Sequence, residues 1–451
     1  MLKQFLKDHG GRAVVYKLRE MSRWPHNCKL NMRYRKAVKR CNKKPGTDKI
    51  RLVFIVQFPT FWGKIEPVYR RASEREDYEV LILTVPVIDR LGEVDHLPAD
   101  TENAAYESLK NENTVVLNAL DKDGNWIDLE KYQPDYVFYP RPYDIHLPKL
   151  YQSGSVKEYA KVCYVTYGFL ISKVNQKTCM NKEFFRNCYF YFAENAIVAK
   201  INRRRMPLSH MLGYRKTVNI GYPSLLHIME QKDVQSPLWD FARGKDLFRI
   251  IWTPRWTTNL QAGGSNFFRY KEKVFEYAQK NQEAAVLYRP HPLTFQNFLH
   301  TGEWTQEEMD EFLHRYEIQP NMNIDQEKEY GCTFWESDVL LTDGSSIDVD
   351  YFITGKPIIR CMREEKIKGE FNAFKKEMLK GIYCAYSWEE VENYLTRLQK
   401  GEDPLKEIRE QLVQTLFSNN FDTMPDDFLN EIKRDRITVT NRKKKANRTE
   451  E

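Results

Sequence analysis

Beyond residue 50 the chain alternates between short apolar runs bounded by turn residues and longer stretches whose apolar positions recur three and four apart. That pattern reads as strand alternating with helix. Residues 52–57 predict a strand, the stretch to Arg75 a helix and 78–86 a second strand, a βαβ unit with a right-handed crossover. Further strands are predicted at 136–139, 162–166, 188–193 and 218–222, with a helix over 194–205. Residues 227–245 are polar and irregular, as a linker would be. A second series follows, with strands at 248–253, 284–288, 339–342 and 357–361 and helices at 267–280, 345–354 and 387–400. The predicted fold class is α/β, two Rossmann-like domains with mostly parallel sheets facing each other across a cleft. The expected division is a basic helical arm at 1–50, a first domain at 51–226, a linker at 227–247, a second domain at 248–430 and a polar basic tail at 431–451.

Charge changes this picture at one end. The 451 residues carry a formal charge of +7, but Met1 to Arg51 holds sixteen Lys and Arg against Asp8, Glu20 and Asp48. The first 51 residues are therefore near +13 and the remainder near −6, both about. Leu2, Phe5, Leu6, Val14, Val15 and Leu18 recur at spacings compatible with an apolar stripe on a basic helix, which suits an anionic membrane surface. A solvated basic face is the plain alternative, and nucleic acid is not expected because no reader motif accompanies the charge. The longest apolar stretches, such as 80–88, fall short of the roughly 20 residues that a spanning helix requires, and residues 1–10 lack the apolar segment of a signal peptide. A cytoplasmic protein, peripheral on the inner face of the cell membrane, is expected. The eight cysteines show no CxxC pair and no Cys/His ligand spacing, so free thiols and no structural metal are expected.

Candidate chemistry collects in the second half. The run 337–352 delivers Asp343-Gly344-Ser345-Ser346 from a buried strand onto a predicted helix. Ser345 and Ser346 would offer hydroxyls beside unpaired backbone N–H groups at the positive end of the helix dipole, an arrangement that suits a diphosphate. Asp and Ser are also ordinary N-caps. Four segments are expected at one sheet edge: 252–256 with Thr253 and Arg255, 288–292 with Arg289 and His291, 342–346 with Thr342 and Gly344, and Gly355-Lys356-Pro357. Arg289 is suited to gripping phosphate with two hydrogen bonds, and His291, stiffened by Pro290 and Pro292, to donating a hydrogen bond or moving a proton. Asp343 reads equally as a base, a ribose contact or a cap. The aromatic run 189–192 reads as strand core, and Phe58-Pro-Thr-Phe-Trp62 as core or as an acceptor-binding edge. Glu307, Glu308, Asp310 and Glu311 read as a solvated helix face, and Asp348 and Asp350, two apart on a helix, as carboxylates that point apart and share no metal.

Taken together, these segments resemble the CDP-glycerol glycerophosphotransferase family of teichoic acid and capsule synthesis. The resemblance lies in Arg289-Pro-His-Pro292, in 337–350 set against Ala-Asp-x-Leu-Ile-Thr-Asp-Tyr-Ser-Ser-x-x-x-Asp, and in Gly355-Lys-Pro-Ile358. It implies a two-domain GT-B fold and transfer of glycerol phosphate, or another polyol phosphate, from a CDP-activated donor to a hydroxyl of a lipid-linked acceptor, with release of CMP. No cofactor is then required. By the same resemblance Arg289 and His291 contact the donor diphosphate or leaving group, and Ser345 and Ser346 cradle it. Three positions depart from the family pattern. Thr166-Tyr167-Gly168 stands where the family has Trp-His-Gly, Gly221-Tyr-Pro-Ser-Leu-Leu226 lacks an Arg and an Asp, and Gly344 replaces a Tyr. Tyr167, at a pKa near 10, is a poor base at neutral pH, so Tyr167 and Gly168 are assigned only to the acceptor side of the cleft. Two further readings stay open: a GT-B glycosyltransferase that takes a nucleotide-activated sugar, and a non-catalytic nucleotide-binding relative.

Overall fold

The computed structural model describes residues 24–44, 48–88, 97, 101–111, 115–166, 168–169, 183–260, 264–327, 329–363, 371–417 and 421–450. The first half runs α1 (Trp24–Lys43), β1 (Ile50–Val56), α2 (Glu66–Ser73), β2 (Tyr78–Thr84), β3 (Val116–Asn118), β4 (Tyr136–Tyr139), β5 (Lys161–Val165), β6 (Cys188–Ala193), α3 (Ala196–Arg205), α4 (Pro207–Met211), β7 (Lys216–Asn219) and α5 (Pro223–Glu230). The second runs β8 (Phe248–Thr253), α6 (Phe267–Lys280), β9 (Ala284–Tyr288), β10 (Met322–Ile324), β11 (Val339–Thr342), α7 (Ile347–Phe352), β12 (Ile358–Cys361), α8 (Ala373–Met378), β13 (Tyr383–Ala385), α9 (Trp388–Gln399) and α10 (Met424–Glu450). Every strand pair within the two sheets is parallel. Helices cover both faces, which is why β6 and β11 are buried at every residue and read as unbroken apolar runs.

Strand order decides where a ligand can bind. The first sheet is ordered β3-β2-β1-β4-β5-β6-β7 and the second β10-β9-β8-β11-β12-β13. In each the winding reverses once, between β1 and β4 and between β8 and β11, and the loops beyond the carboxyl ends of those strands diverge to leave a crevice. The loops after β8 and β11, 253–256 and 342–346, flank the second reversal. Two expectations change here. The loop after β9 is separated from the Ser-Ser turn by β8 instead of adjoining it. Gly355-Lys356-Pro357 precedes β12, so it lies at the opposite, amino edge, where Lys356 Nζ bonds the carbonyl of Ser337 at 2.5 Å.

The expected linker is ordered and packed. Trp239 within it is fully buried among second-half residues and donates from Nε1 to the carbonyl of Thr333 at 3.1 Å. Residues 431–450, read as part of a polar tail at 431–451, instead continue α10, and this helix returns to the first half. Met424, Phe428, Leu429 and Ile432 pack on the first sheet with Val68, Tyr69 and Ala72 of α2 and Tyr34 and Val38 of α1. One turn further, the buried Asp435 carboxylate takes Lys161 at 2.6 Å, Lys216 at 2.8 Å and the hydroxyls of Tyr136 and Tyr189 at 2.7 Å each. The basic arm is helical over α1 and docked, with the Tyr34 hydroxyl donating to the carbonyl of Tyr214 at 2.7 Å. The apolar stripe expected within residues 2–18 lies outside the described residues.

Candidate active site

The turn after β11 is built by its own side chains. Thr342 ends the strand and its hydroxyl accepts the N–H of Gly344 at 3.0 Å. Asp348 Oδ1 accepts the N–H of Ser345 at 3.1 Å, and Ser345 Oγ accepts that of Ile347 at 3.3 Å. The expectation of bare N–H groups at this helix start is therefore corrected at 344, 345 and 347, since short-range side-chain acceptors cap them. What the turn presents outward is the hydroxyls, Ser345 half-buried and Ser346 exposed.

Asp343 faces away from the crevice. Its carboxylate accepts the N–H of Arg255 at 3.0 Å, the N–H of Asn266 at 2.9 Å, Asn266 Nδ2 at 2.8 Å and the Ser265 hydroxyl at 3.2 Å. Burial raises its pKa and these four bonds oppose the rise. Asp343 thus ties the loop after β8 to the loop after β11. Arg255 spans the same gap with its guanidinium, Nη1 donating to the carbonyl of Gly344 at 2.7 Å. Beside it the Thr253 hydroxyl is buried with no hydrogen-bond partner among the described residues.

His291 sits on the exposed loop after β9, with Trp256 6.1 Å away between ring centres. Its Nδ1 accepts the N–H of Leu293 at 3.2 Å, which leaves the proton on Nε2 in the neutral ring. Crowding by the surrounding protein, and then the Arg255 guanidinium, push its pKa down to about 4. At neutral pH it is an uncharged donor. Arg289 behaves differently from the expectation of a free phosphate grip, because Nη1 is held by Asp325 at 2.5 Å and Nη2 by the carbonyl of Glu327 at 3.0 Å. Its guanidinium also lies 4.7 Å above the ring of Tyr330.

The first half closes on this edge. Gly168 comes near enough to Ser346 that a β-carbon on it would stand 3.9 Å from the serine's, and Phe169 stacks on Phe374 at 5.0 Å. Tyr167 lies outside the described residues. Lys64, on the loop after β1, crosses the cleft to the Tyr330 hydroxyl at 2.7 Å and to Asp350 at 3.7 Å, and Tyr330 donates to Asp350 at 2.8 Å. Burial pulls the pKa of Lys64 down, but Tyr222, Tyr330 and Asp350 outweigh it and hold the ammonium well above its ordinary value. Asp348 and Asp350 do point apart, one to β12 and α8, the other to Tyr330 and Lys64. Lys64, Asp325, Tyr330, Arg360 and Lys375 were not singled out from the sequence. Arg360 had a signal, a cation inside the apolar run 357–362; the others had none. Among the described residues no group of three or more His, Cys, Asp or Glu could hold a metal ion, and no helix is long and apolar enough to cross a membrane.

The sequence pattern of one family, described as CDP-Glycerol:Poly(glycerophosphate) glycerophosphotransferase, matches residues 168–404. No curated protein matches significantly. Among solved structures, the wall teichoic acid polymerase TagF superposes with a TM-score of 0.56 at 14% identity, covering 95% of this chain and 99% of that one. The S. aureus MnaA–UDP co-structure gives 0.56 at 12% identity, covering 85% and 96%. The UDP-GlcNAc 2-epimerase from Neisseria meningitidis bound to UDP-GlcNAc gives 0.55 at 12%, covering 85% and 100%. At such identities the likeness is one of fold, the GT-B-like pairing of two parallel sheets. The family match is of another kind, for it takes in more than half of the chain and all the loops around the second reversal. The protein belongs to the CDP-glycerol:poly(glycerophosphate) glycerophosphotransferase family and is a transferase of that type.

Proposed function

We propose that this transferase takes glycerol phosphate from CDP-glycerol bound at the second reversal and passes it to a hydroxyl of a lipid-linked cell-surface polymer precursor. The observation that carries the reading is the convergence of Arg255, His291, Ser345 and Ser346 on loops beyond β8, β9 and β11, all inside the family match. UDP, UDP-GlcNAc and CDPG accompany three of the similar structures, which supports a donor linked to a pyrimidine nucleoside diphosphate.

The acceptor oxygen forms a bond to the phosphorus that carries glycerol. The bond from that phosphorus to the bridging oxygen breaks, and CMP leaves with the electron pair. The acceptor proton passes to a base on the first-half side of the cleft, where Tyr167 and Gly168 lie in sequence. Arg255 and the hydroxyls of Thr253, Ser345 and Ser346 would bind the diphosphate, and His291 would donate from Nε2 to the departing phosphate. Phosphoryl transfer asks for little beyond such positioning and charge stabilisation. Asp343 is a positioning residue in this scheme, since its oxygens already hold the loop of Arg255. Arg289, committed to Asp325, would shape the pocket wall through Tyr330. Residues 51–226 would present the acceptor and 248–430 the donor.

The test is CMP release by the purified protein from CDP-glycerol, CDP-ribitol and UDP-GlcNAc, with and without a lipid-linked acceptor. CMP from a CDP-polyol alone, with turnover about 10²–10⁴ lower in His291→Ala, is the expected result. Turnover of the nucleotide sugar would assign a glycosyltransferase. Donor binding without turnover in the presence of acceptor would assign a non-catalytic role.

A further inference from the structure

Beneath the Ser345–Ser346 turn lies a buried group of charges that the scheme above does not use. Asp348 Oδ2 takes Lys375 Nζ at 2.9 Å and Arg360 Nη1 at 3.2 Å, while Oδ1 takes the Thr342 hydroxyl and the Ser345 N–H at 3.1 Å each. One carboxylate faces two cations. Lys375, with no exposed side-chain surface, is enough to neutralise it, so Arg360 is the surplus. Among the described residues the neighbouring carboxylates are already engaged, Asp343 by the loops of Arg255 and Asn266 and Asp350 by Lys64 and Tyr330. Arg360 Nε is buried with no hydrogen-bond partner among the described residues. Two buried cations that share one carboxylate are unfavourable, and an anion arriving beside Arg360 relieves the cost.

Gly344 shows where that anion would come. Its φ is +90°, and a β-carbon on it would stand 2.1 Å from Arg360 Cζ and 2.3 Å from each Nη. The guanidinium fills the space that a side chain at 344 would take, directly against the turn. A glycine is needed there twice over, for the left-handed backbone and for the close approach. The N–H groups of 344, 345 and 347 are committed to capping, so a phosphate on this turn must find its counter-charge in side chains. Burial first, and then the charge of Arg360, depress the pKa of Lys375 against the opposing pull of Asp348.

We propose that Arg360 is an anion-binding residue of the donor pocket, meeting a donor phosphate from below the Ser345–Ser346 turn through the space that Gly344 leaves. This rests on reading the turn as a diphosphate site, and the test separates the two. Calorimetric titration of the full chain with cytidine, CMP, CDP and inorganic pyrophosphate compares the wild type with Arg360→Gln. The wild type should bind CDP far more tightly than cytidine, and the variant should lose about tenfold or more on CDP and pyrophosphate while keeping its cytidine affinity. Equal CDP affinity in both proteins, or equal affinity of the wild type for CDP and cytidine, overturns the proposal. If no cytidine compound binds, the donor reading fails by itself and pyrophosphate decides: affinity lost in the variant keeps the anion site, and affinity unchanged or absent overturns it. Should Arg360→Gln not fold, Arg360→Lys is measured instead, because it keeps a cation beside Asp348 but withdraws the guanidinium from the turn. A tenfold loss then supports the proposal and unchanged binding overturns it.

Discussion

His291 shows how one backbone contact selects a chemical role. Its Nδ1 is occupied by the N–H of Leu293, so in the neutral ring Nε2 carries the proton and is the donor turned to chemistry, and the depressed pKa keeps the ring uncharged. A donor diphosphate brings negative charge that opposes Arg255, so the ring should titrate near pH 4 in the free protein and at a higher pH with CDP bound. NMR of the imidazole resonances against pH checks this, and a midpoint that CDP leaves unmoved would place the ring away from the phosphates. The stability linkage has a definite sign. The folded value lies below the free imidazole value of about 6.5, so the unfolded chain takes up the proton first. This group's contribution is complete above about pH 6.5 and is lost as the pH falls toward 4.

At the scale of elements, α10 adds to its apolar contacts with the first sheet a buried carboxylate, Asp435. Burial alone would raise the pKa of Asp435, but Lys161 and Lys216 outweigh it and hold it down to about 2, below the roughly 3.9 of a free Asp. Its stabilisation is therefore present above about pH 4 and lost as the pH falls toward 2. Asp435→Ala leaves Lys161 buried without its partner and should cost about 3–5 kcal/mol, read as a lower urea midpoint. None of this was legible in a C-terminal stretch whose composition is that of a solvated tail, because the partners of Asp435 come from four separate strands. Strands such as β6 and β11 were legible, since a strand covered on both faces must be apolar throughout. β3, β10 and β13 were not. Each has three residues and lies at a sheet edge, too short to show a period. The Asp343–Ser346 segment was read correctly as a turn, but the Asp348 that caps it is held by Arg360 and Lys375, which reach it only through the tertiary fold.

For the whole molecule, the basic helix α1 has an unforeseen companion. Beside it, α4 exposes Leu208 at 60%, Met211 at 74% and nearby Leu212 at 48%, just after the exposed run Arg203-Arg204-Arg205, while Arg35 of α1 lies over Tyr214. Exposed apolar side chains that follow a run of exposed arginines suit the headgroup region of an anionic bilayer. We propose a peripheral membrane contact here, tested with phosphatidylglycerol vesicles: the wild type should co-sediment, and the triple variant Leu208→Ser, Met211→Ser, Leu212→Ser at least about tenfold more weakly with little change in melting temperature. Retained binding would leave the contact to α1 and its charge alone.

The return of α10 to the first sheet also sets an order of events during synthesis. Residues 50–219 supply every strand of that sheet, yet one of its apolar faces, covered in part by α1 and α2, is completed only when residues 424–432 have been made. The half translated first is thus the half completed last. On the ribosome, the second sheet can close while the first still waits for the rest of its cover, and a chaperone that shields the remaining gap would be needed longest at the front of the chain.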